Sequence, residues 1–221
     1  MRGRLILGLL ASLSSGCQAI PAGQAPRTAA AARSAAIIAP RPELRACLAD
    51  LGSKRAAFTP LPDRYYGAGC SALGSVRLSA LQSDQAILGL SGAGAMTCAL
   101  AEHLAGWARY GVDRAAQQIL GSALVRIETM GSYNCRNVAG SLRRSAHATG
   151  NAIDISGFVL ADGRRITVAG DWSDKSPQVQ HFFNAIRTSA CKRFGTVLTP
   201  AYNAAHRDHL HLEMSARPFC K

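Results

Sequence analysis

Two short segments that lie far apart in the chain carry most of its potential metal-binding side chains. Residues 145–154 contain one histidine and end in an aspartate, and residues 206–211 contain three histidines and another aspartate. Together they hold four of the six histidines and two of the thirteen acidic residues. A catalytic zinc ion takes three protein ligands from histidine and carboxylate side chains and keeps a fourth position for water. We therefore predict a fold that brings the two segments together around one divalent ion.

The spacing within each segment suits such a site. Gly150 lies between His147 and Asp154 and allows the chain to turn, and Asp154 lies between two isoleucines in a predicted strand. A buried carboxylate there is costly unless it is paired or bound to a metal. His209 and His211 are two residues apart, so in a strand they point to the same face. Asp154 could instead cap a turn or meet an arginine, and a single histidine could belong to the core, but three histidines within six positions favour the metal site.

The N-terminal region predicts an exported protein. Residues 1–4 carry two arginines and precede an apolar run, residues 5–13, that is too short to span a bilayer and is typical of a secretory signal. Small residues before Cys17 resemble a bacterial lipoprotein cleavage site. We predict a lipoprotein-type signal peptide over residues 1–17, lipidation of Cys17 and a periplasmic protein anchored to the membrane. Ser14 stands where leucine is usual, which leaves ordinary secretion open.

The remainder of the chain divides into a tether and one domain. Residues 18–40 contain few bulky apolar side chains, so we predict a flexible tether. Residues 41–221 are long enough for one domain with its own core. The net charge is +12, but the basic residues are scattered and form no stripe or RNA-binding motif. We therefore expect no nucleic-acid partner, and we expect a monomer.

The cysteine count predicts disulfide bonds. Apart from Cys17, the chain has six cysteines, an even number in a protein predicted to leave the cytoplasm. They are Cys47, Cys70, Cys98, Cys135, Cys191 and Cys220. Six cysteines allow many pairings. We predict sequential pairing: Cys47–Cys70, Cys98–Cys135 and Cys191–Cys220.

The pattern of apolar residues predicts an α+β fold. Helices are predicted over residues 42–51, 95–110, 113–120 and 177–192. Strands are predicted over residues 75–81, 86–90, 124–130, 152–160, 166–168, 196–198 and 210–214. We expect Ser91 to cap the helix over 95–110, and residues 61–69 to be rich in turns. The predicted architecture is an antiparallel sheet that carries the metal site, with helices packed on one side.

The first segment matches a known motif. The S-x-H-x-x-G-x-A-x-D signature of the LAS-type zinc peptidases fits Ser145, His147, Gly150, Ala152 and Asp154. This group comprises D-alanyl-D-alanine carboxypeptidases and dipeptidases, murein endopeptidases and hedgehog-like proteins. Within it, the H-x-D-H-x-H run of residues 206–211 and the F-x-T-V-L run of residues 194–198 resemble the bacterial extensin-like C-terminal domain family. The resemblance covers most of residues 41–221 and implies a hedgehog or D-Ala-D-Ala peptidase-like fold.

The resemblance also implies roles for the residues of the site. His147, Asp154 and His211 would hold one zinc ion. Asp208, three residues before the last of these ligands, would be the general base, and His209 would support the oxyanion. Relatives with an H-x-H motif give the catalytic role to the first histidine, so the choice between Asp208 and His209 stays open.

Three further residues would surround this centre. Arg136 would polarise the scissile carbonyl, or it is an ordinary surface arginine. Ser145 and His206 would orient the ligands from a second layer. The implied function is that of an exported zinc peptidase acting on the stem peptides of peptidoglycan, which contain D-amino acids. A zinc-containing cell-wall binding module without catalysis, and a hydrolase of another amide or ester, remain open, as do nickel and cobalt in place of zinc.

Overall fold

A computed structural model of the protein describes residues 41–221. The predicted signal peptide, the predicted tether and Cys17 lie outside the described residues, so they remain predictions. Among the helices of this described part, none has the length and apolar character needed to cross a membrane.

The described residues form an α+β structure, as predicted. The helices are α1 Pro42–Ser53, α2 Cys98–Trp107, α3 Val168–Asp171 and α4 Pro177–Cys191. The strands are β1 Ala57–Pro60, β2 Arg64–Gly67, β3 Cys70–Ala72, β4 Ser75–Gln82, β5 Ile87–Ser91, β6 Ala95–Thr97, β7 Leu124–Gly131, β8 Ala152–Leu160, β9 Arg165–Thr167, β10 Thr196–Leu198, β11 Leu210–Glu213 and β12 Phe219–Cys220. Ala108–Asp113 and Ala116–Leu120 are π-helical, and Ala146–Thr149 and Ala204–His206 are 3-10 helices.

Ten of the strands form one mixed sheet. Its order is β1-β4-β5-β7-β8-β11-β10-β12, with β6 also paired to β4 and β9 to β8. The expectation of an antiparallel sheet is wrong, because β5 pairs with β7, and β10 with β12, in parallel. A parallel pair needs a long crossover connection, and α2 with the π-helical segments supplies it between β5 and β7. Strand β8, which carries Asp154, is antiparallel to both of its neighbours at the candidate site, β7 and β11.

The core and the candidate site use opposite faces of the central strands. The core includes alternate residues of β8 and β11: Ile153, Ile155, Leu210 and Leu212. Side chains alternate between the two faces of a strand, so Asp154 and His211 project to the other face. Helix α4 packs against the two π-helical segments, and it contacts the end of α2, where the Trp107 Nε1–H donates a hydrogen bond to the Ile186 carbonyl at 3.0 Å.

The helix around Trp107 starts later than predicted. Residues 95–97 form β6, which pairs with β4, so Thr97 rather than Ser91 caps α2. The Thr97 side chain accepts a hydrogen bond from the Leu100 N–H. By contrast, the predicted start of α4 is confirmed, since the Ser176 side chain accepts from the Val179 N–H and Pro177 opens the helix.

Residues 61–69, predicted to be turns, include part of a two-stranded sheet formed by β2 and β3. We call residues 64–72 the tyrosine hairpin, because they include Tyr65 and Tyr66. Its turn holds Gly67, Ala68 and Gly69, all at positive φ angles of 80°, 48° and 81°. The glycines adopt this conformation easily, which allows so tight a connection.

Two of the three predicted disulfides are wrong in their pairing. Cys191–Cys220 is present as predicted, but the others are Cys47–Cys98 and Cys70–Cys135. Packing of α1 against α2 brings Cys47 beside the first residue of α2. The tyrosine hairpin brings Cys70 to the loop that follows β7. Both contacts join elements distant in sequence, which sequential pairing could not anticipate.

Candidate metal centre

The structure brings His147, Asp154 and His211 together. All three are buried, and one nitrogen or oxygen atom from each lies within 4.8 Å of the others. The His147 Nε2 lies 3.2 Å from the Asp154 Oδ1 and 3.2 Å from the His211 Nδ1. The His211 Nδ1 lies 3.0 Å from the Asp154 Oδ1. The trio that the sequence singled out therefore forms one compact cluster.

Local structure explains this convergence. Pairing of β8 with β11 places Asp154 directly opposite His211. His147 comes from the 3-10 helix that precedes β8, and this helix ends at Gly150, which has a φ of 63°. An alanine there would be strained by the backbone angle, and its Cβ would lie 3.4 Å from the backbone of β6. Gly150 thus lets the chain turn from the histidine into the strand of the aspartate.

The second nitrogen of each histidine fixes the proton position on the ring. The His147 Nδ1 lies 2.5 Å from the Ser132 carbonyl oxygen, and the His211 Nε2 lies 3.1 Å from the Glu213 Oε2. Both partners can only accept, so each of these nitrogens carries hydrogen. In the neutral rings, the lone pairs of the His147 Nε2 and the His211 Nδ1 both face the Asp154 carboxylate. Three acceptors then converge with no proton between them.

This arrangement fits a divalent cation. Ligand atoms around tetrahedral zinc, at about 2.0–2.1 Å from the ion, are roughly 3.3 Å apart, close to the separations found here. Metal-binding histidines almost always donate their other N–H to a carbonyl or carboxylate, as His147 does to Ser132 and His211 to Glu213. Two neutral imidazoles and a carboxylate also form a common donor set for zinc.

Without a bound cation, hydrogen bonds between the histidines and the carboxylates set the protonation of Asp154 and His211. Burial would raise the pKa of Asp154, but the hydrogen bonds with His147 and His211 outweigh it and lower that pKa. Burial would lower the pKa of His211, but the hydrogen bonds to Asp154 and Glu213 outweigh it and raise that pKa. The carboxylate therefore stays ionised, and the surroundings of His211 favour a positive charge.

Asp208 and His209 form a pair beside this cluster. The Asp208 Oδ1 accepts a hydrogen bond from the His209 Nδ1 at 2.8 Å, and this bond lowers the pKa of Asp208. The other ring nitrogen, Nε2, lies 3.6 Å from the Asp154 Oδ1. Asp208 thus orients the imidazole, and the imidazole is the group directed at the candidate ligands.

His206 packs beside the same cluster. Its ring centroid lies 5.1 Å from that of His209 and 5.9 Å from that of His211, and its Nδ1 is 2.7 Å from the Asn203 Oδ1. Burial, together with the nearby charges of His209 and His211, lowers the pKa of His206 to about 4. This histidine is therefore neutral at neutral pH and is held by Asn203 in a layer around the ligands.

Arg136 and Ser145 are both near the cluster. The Arg136 Nη2 lies 4.0 Å from the Asp154 Oδ2, and the arginine side chain is 43% exposed. Ser145 precedes the 3-10 helix, and its hydroxyl oxygen accepts from the His147 N–H at 3.4 Å. The positive charge of Arg136 thus lies near the cluster and is accessible to solvent. Ser145 positions His147 through a hydrogen bond with its backbone.

The sequence did not single out Ser132, Glu213 or Asn203. Glu213 could have been recognised from the sequence, because it follows His211 by two residues in the same strand and so shares its face. Ser132 contributes its backbone carbonyl to His147, which no side-chain pattern reveals. Its own hydroxyl donates to the Ala152 carbonyl at 2.6 Å and so ties the residue after β7 to the start of β8.

Comparisons with known proteins identify a family. No curated protein and no solved structure matches the chain. The family model described as "Extensin-like protein C-terminus" matches residues 45–221, which include every residue of the candidate centre. The chain belongs to the family of extensin-like protein C-terminal domains.

Proposed function

We propose that this protein is an exported, zinc-dependent peptidase that acts on amide bonds in the stem peptides of peptidoglycan. The observation that carries the proposal is the convergence of two imidazole nitrogens and a carboxylate oxygen, mutually 3.0–3.2 Å apart. Ser132 and Glu213 accept hydrogen bonds from the His147 Nδ1 and the His211 Nε2, so the other nitrogen of each ring is free to bind a metal.

His147, Asp154 and His211 would hold the ion through the His147 Nε2, the Asp154 carboxylate and the His211 Nδ1. A bound zinc ion supplies a Lewis acid that polarises a carbonyl and lowers the pKa of a bound water toward about 7. Nickel and cobalt are compatible with the same donors, so metal content belongs among the first measurements.

We assign the proton transfer to His209 and the orienting role to Asp208. With its Nδ1–H donated to the ionised Asp208, His209 presents the lone pair of its Nε2 on the side of Asp154. A carboxylate that holds an imidazole in this tautomer also stabilises the imidazolium formed when the ring accepts a proton. These contacts favour His209 over Asp208, which the sequence alone had favoured as the base.

Arg136 would stabilise negative charge that develops on the substrate. Its guanidinium lies 4.0 Å from the outer Asp154 oxygen and is 43% exposed, so it reaches both the cluster and a ligand arriving from solvent. A fixed positive charge beside a forming oxyanion lowers the energy of the transition state.

The choice of substrate rests on the sequence. The S-x-H-x-x-G-x-A-x-D motif resembles that of the LAS-type zinc peptidases, and with it we propose their hedgehog or D-Ala-D-Ala peptidase-like fold. The predicted lipoprotein signal would place the domain in the periplasm, anchored to a membrane and within reach of the cell wall. Peptidoglycan stem peptides are the substrates that fit this location and this chemistry.

The test combines metal analysis with digestion of purified muropeptides. We expect wild-type protein to contain one zinc ion and to release amino acids or separate cross-linked stems. His209→Ala should lower the rate by about 100-fold to 10,000-fold, Asp208→Ala by less, and both should keep the metal. His181→Ala is the matched control, because this exposed histidine lies on α4 and should leave the rate unchanged.

One result would overturn this proposal, and another would change the role of two of its residues. Wild-type protein that binds zinc but cleaves no muropeptide would indicate a zinc-containing cell-wall binding module. An Asp208→Ala variant that is inactive beside an active His209→Ala variant would reverse the assignment of the proton acceptor.

A further inference from the structure

The tyrosine hairpin presents aromatic side chains that the core does not use. Tyr65 is 80% exposed and Tyr66 is 51% exposed, values high for large aromatic residues. The pairing of β2 with β3 matches Tyr65 to Ser71 and Gly67 to Cys70, with a register shift between them at Tyr66. A bulge of this kind re-aims a side chain and is common beside active sites.

The bulged Tyr66 is directed onto Tyr133. The two ring centroids lie 5.1 Å apart and the ring planes are tilted by 37°. Tyr133 is itself only partly buried, so the pair forms an open aromatic surface. We call these two rings the tyrosine platform.

The tyrosine platform adjoins the candidate metal centre through the backbone. Tyr133 lies between Ser132, whose carbonyl accepts from the His147 Nδ1, and Asn134, whose N–H donates to the His147 carbonyl at 3.0 Å. The disulfide between Cys70 and Cys135 fastens the hairpin to this same segment, one residue before the arginine proposed to stabilise the substrate. A ligand on the platform would therefore lie beside the proposed reaction site.

The tyrosine hairpin is tied to the segment that carries Tyr133. The Arg144 Nε donates to the carbonyl of Ala68 at the hairpin turn, at 2.6 Å, and the Arg144 Nη1 donates to the Asn137 Oδ1 at 2.8 Å. Arg144 and the Cys70–Cys135 disulfide thus join the hairpin to the residues that follow β7. A preformed aromatic surface loses little conformational entropy on binding.

We propose that the tyrosine platform binds the sugar rings of the glycan strand that carries the stem peptides. This inference rests on the proposed function, which supplies the identity of the polymer. The apolar C–H face of an N-acetylhexosamine ring packs against an aromatic face, and its hydroxyl and acetamido groups need hydrogen-bond donors and acceptors beside it. Arg64, two residues before Tyr66, and Asn134, next to Tyr133, are both exposed and would supply such groups.

The test measures binding of a β-1,4-linked N-acetylglucosamine tetramer to the purified full-length protein by calorimetric titration. Tyr66→Ala and Tyr133→Ala should each weaken binding about threefold to tenfold, the loss expected for one aromatic contact. Tyr66→Phe keeps the ring and should stay within about twofold of wild type. Tyr65→Ala is the matched control, since this more exposed tyrosine of the same strand makes no ring contact with Tyr133.

Measurements on a catalytically inactive variant distinguish this inference from the proposed function. His211→Ala should abolish metal-dependent cleavage but keep binding of the tetramer, because the platform contains no metal ligand. Cleavage of muropeptides by a wild-type protein that does not bind the tetramer would refute the platform and leave the proposed function intact. If Tyr66→Ala weakens binding of a sugar-free stem peptide as much as binding of the tetramer, the platform binds peptide instead. Undiminished tetramer binding in both Tyr66→Ala and Tyr133→Ala would also overturn the inference that the platform binds sugar. Thermal unfolding of each variant establishes that the fold is retained.

Discussion

Replacing Glu213 tests whether the candidate centre is built to bind a metal. The Glu213 Oε2 accepts from the His211 Nε2 at 3.1 Å, and the Glu213 side chain is 25% exposed. Nothing places this carboxylate among the ligands, so its effect on metal binding must pass through the orientation and basicity of the His211 ring. Glu213→Ala removes that partner, whereas Glu213→Gln keeps a neutral acceptor of the same shape.

The hydrogen bond between Glu213 and His211 sets the expected loss of zinc affinity. Loss of such an outer partner lowers metal affinity by about 10-fold to 100-fold, which corresponds to about 1.4–2.7 kcal/mol. Because water can reach Glu213 and replace part of the hydrogen bond, we expect the lower end, about 10-fold, for Glu213→Ala. We expect about threefold for Glu213→Gln, since a hydrogen bond to an uncharged acceptor is roughly half as strong.

The assay is competition for zinc with a chromophoric chelator, followed by circular dichroism to establish that each variant is folded. Glu43→Ala is the matched control, because Glu43 is exposed in α1 and makes no contact with the candidate centre. Zinc affinity that stays within twofold of wild type in Glu213→Ala would contradict the role assigned to this carboxylate. Loss of affinity in Glu43→Ala as well would point to a general charge effect.

Three further predictions concern the fold. Gly195→Ala should destabilise the protein by about 1–3 kcal/mol or more in urea unfolding, because its Cβ would lie 1.9 Å from the Ser215 carbonyl oxygen; unchanged stability would refute that close approach. Hydrogen bonds from Arg114 and Arg109 lower the pKa of Asp84 from 3.8 to about 2, so the stability they provide is present above pH 4 and is lost as the pH falls toward 2. Asp84→Asn should remove this part of the acid dependence, and parallel stability curves for the two proteins would contradict it. Peptide mapping of the unreduced protein should recover Cys47–Cys98, Cys70–Cys135 and Cys191–Cys220, and a Cys47–Cys70 peptide would refute this pairing.

Local patterns in the sequence predicted much of the fold and the candidate ligands. His209 lies just before β11 rather than in it, but its side chain and that of His211 both approach Asp154, as their two-residue spacing predicted. The alternation around Asp154 separates it from its apolar neighbours. The Ser176-Pro177 pair likewise marks the start of α4 through capping chemistry that needs no tertiary contact.

Features that depend on distant contacts were not predictable in this way. Ser91 and Thr97 are both good helix caps. Because residues 95–97 pair with β4 as strand β6, the helix begins after Thr97. The glycines at 67 and 69 suggested turns, and nothing local shows that the residues around them pair as strands. The backbone carbonyl of Ser132 reaches His147 only because β7 and β8 are neighbours, so tertiary structure alone reveals it.

X-ray absorption spectroscopy of the zinc-loaded protein tests the central claim most directly. We predict one zinc ion with two imidazole nitrogens and a carboxylate oxygen at about 2.0–2.2 Å, and loss of one imidazole from the spectrum of His211→Ala. A zinc spectrum with sulfur ligands, or one that His211→Ala leaves unchanged, would contradict it.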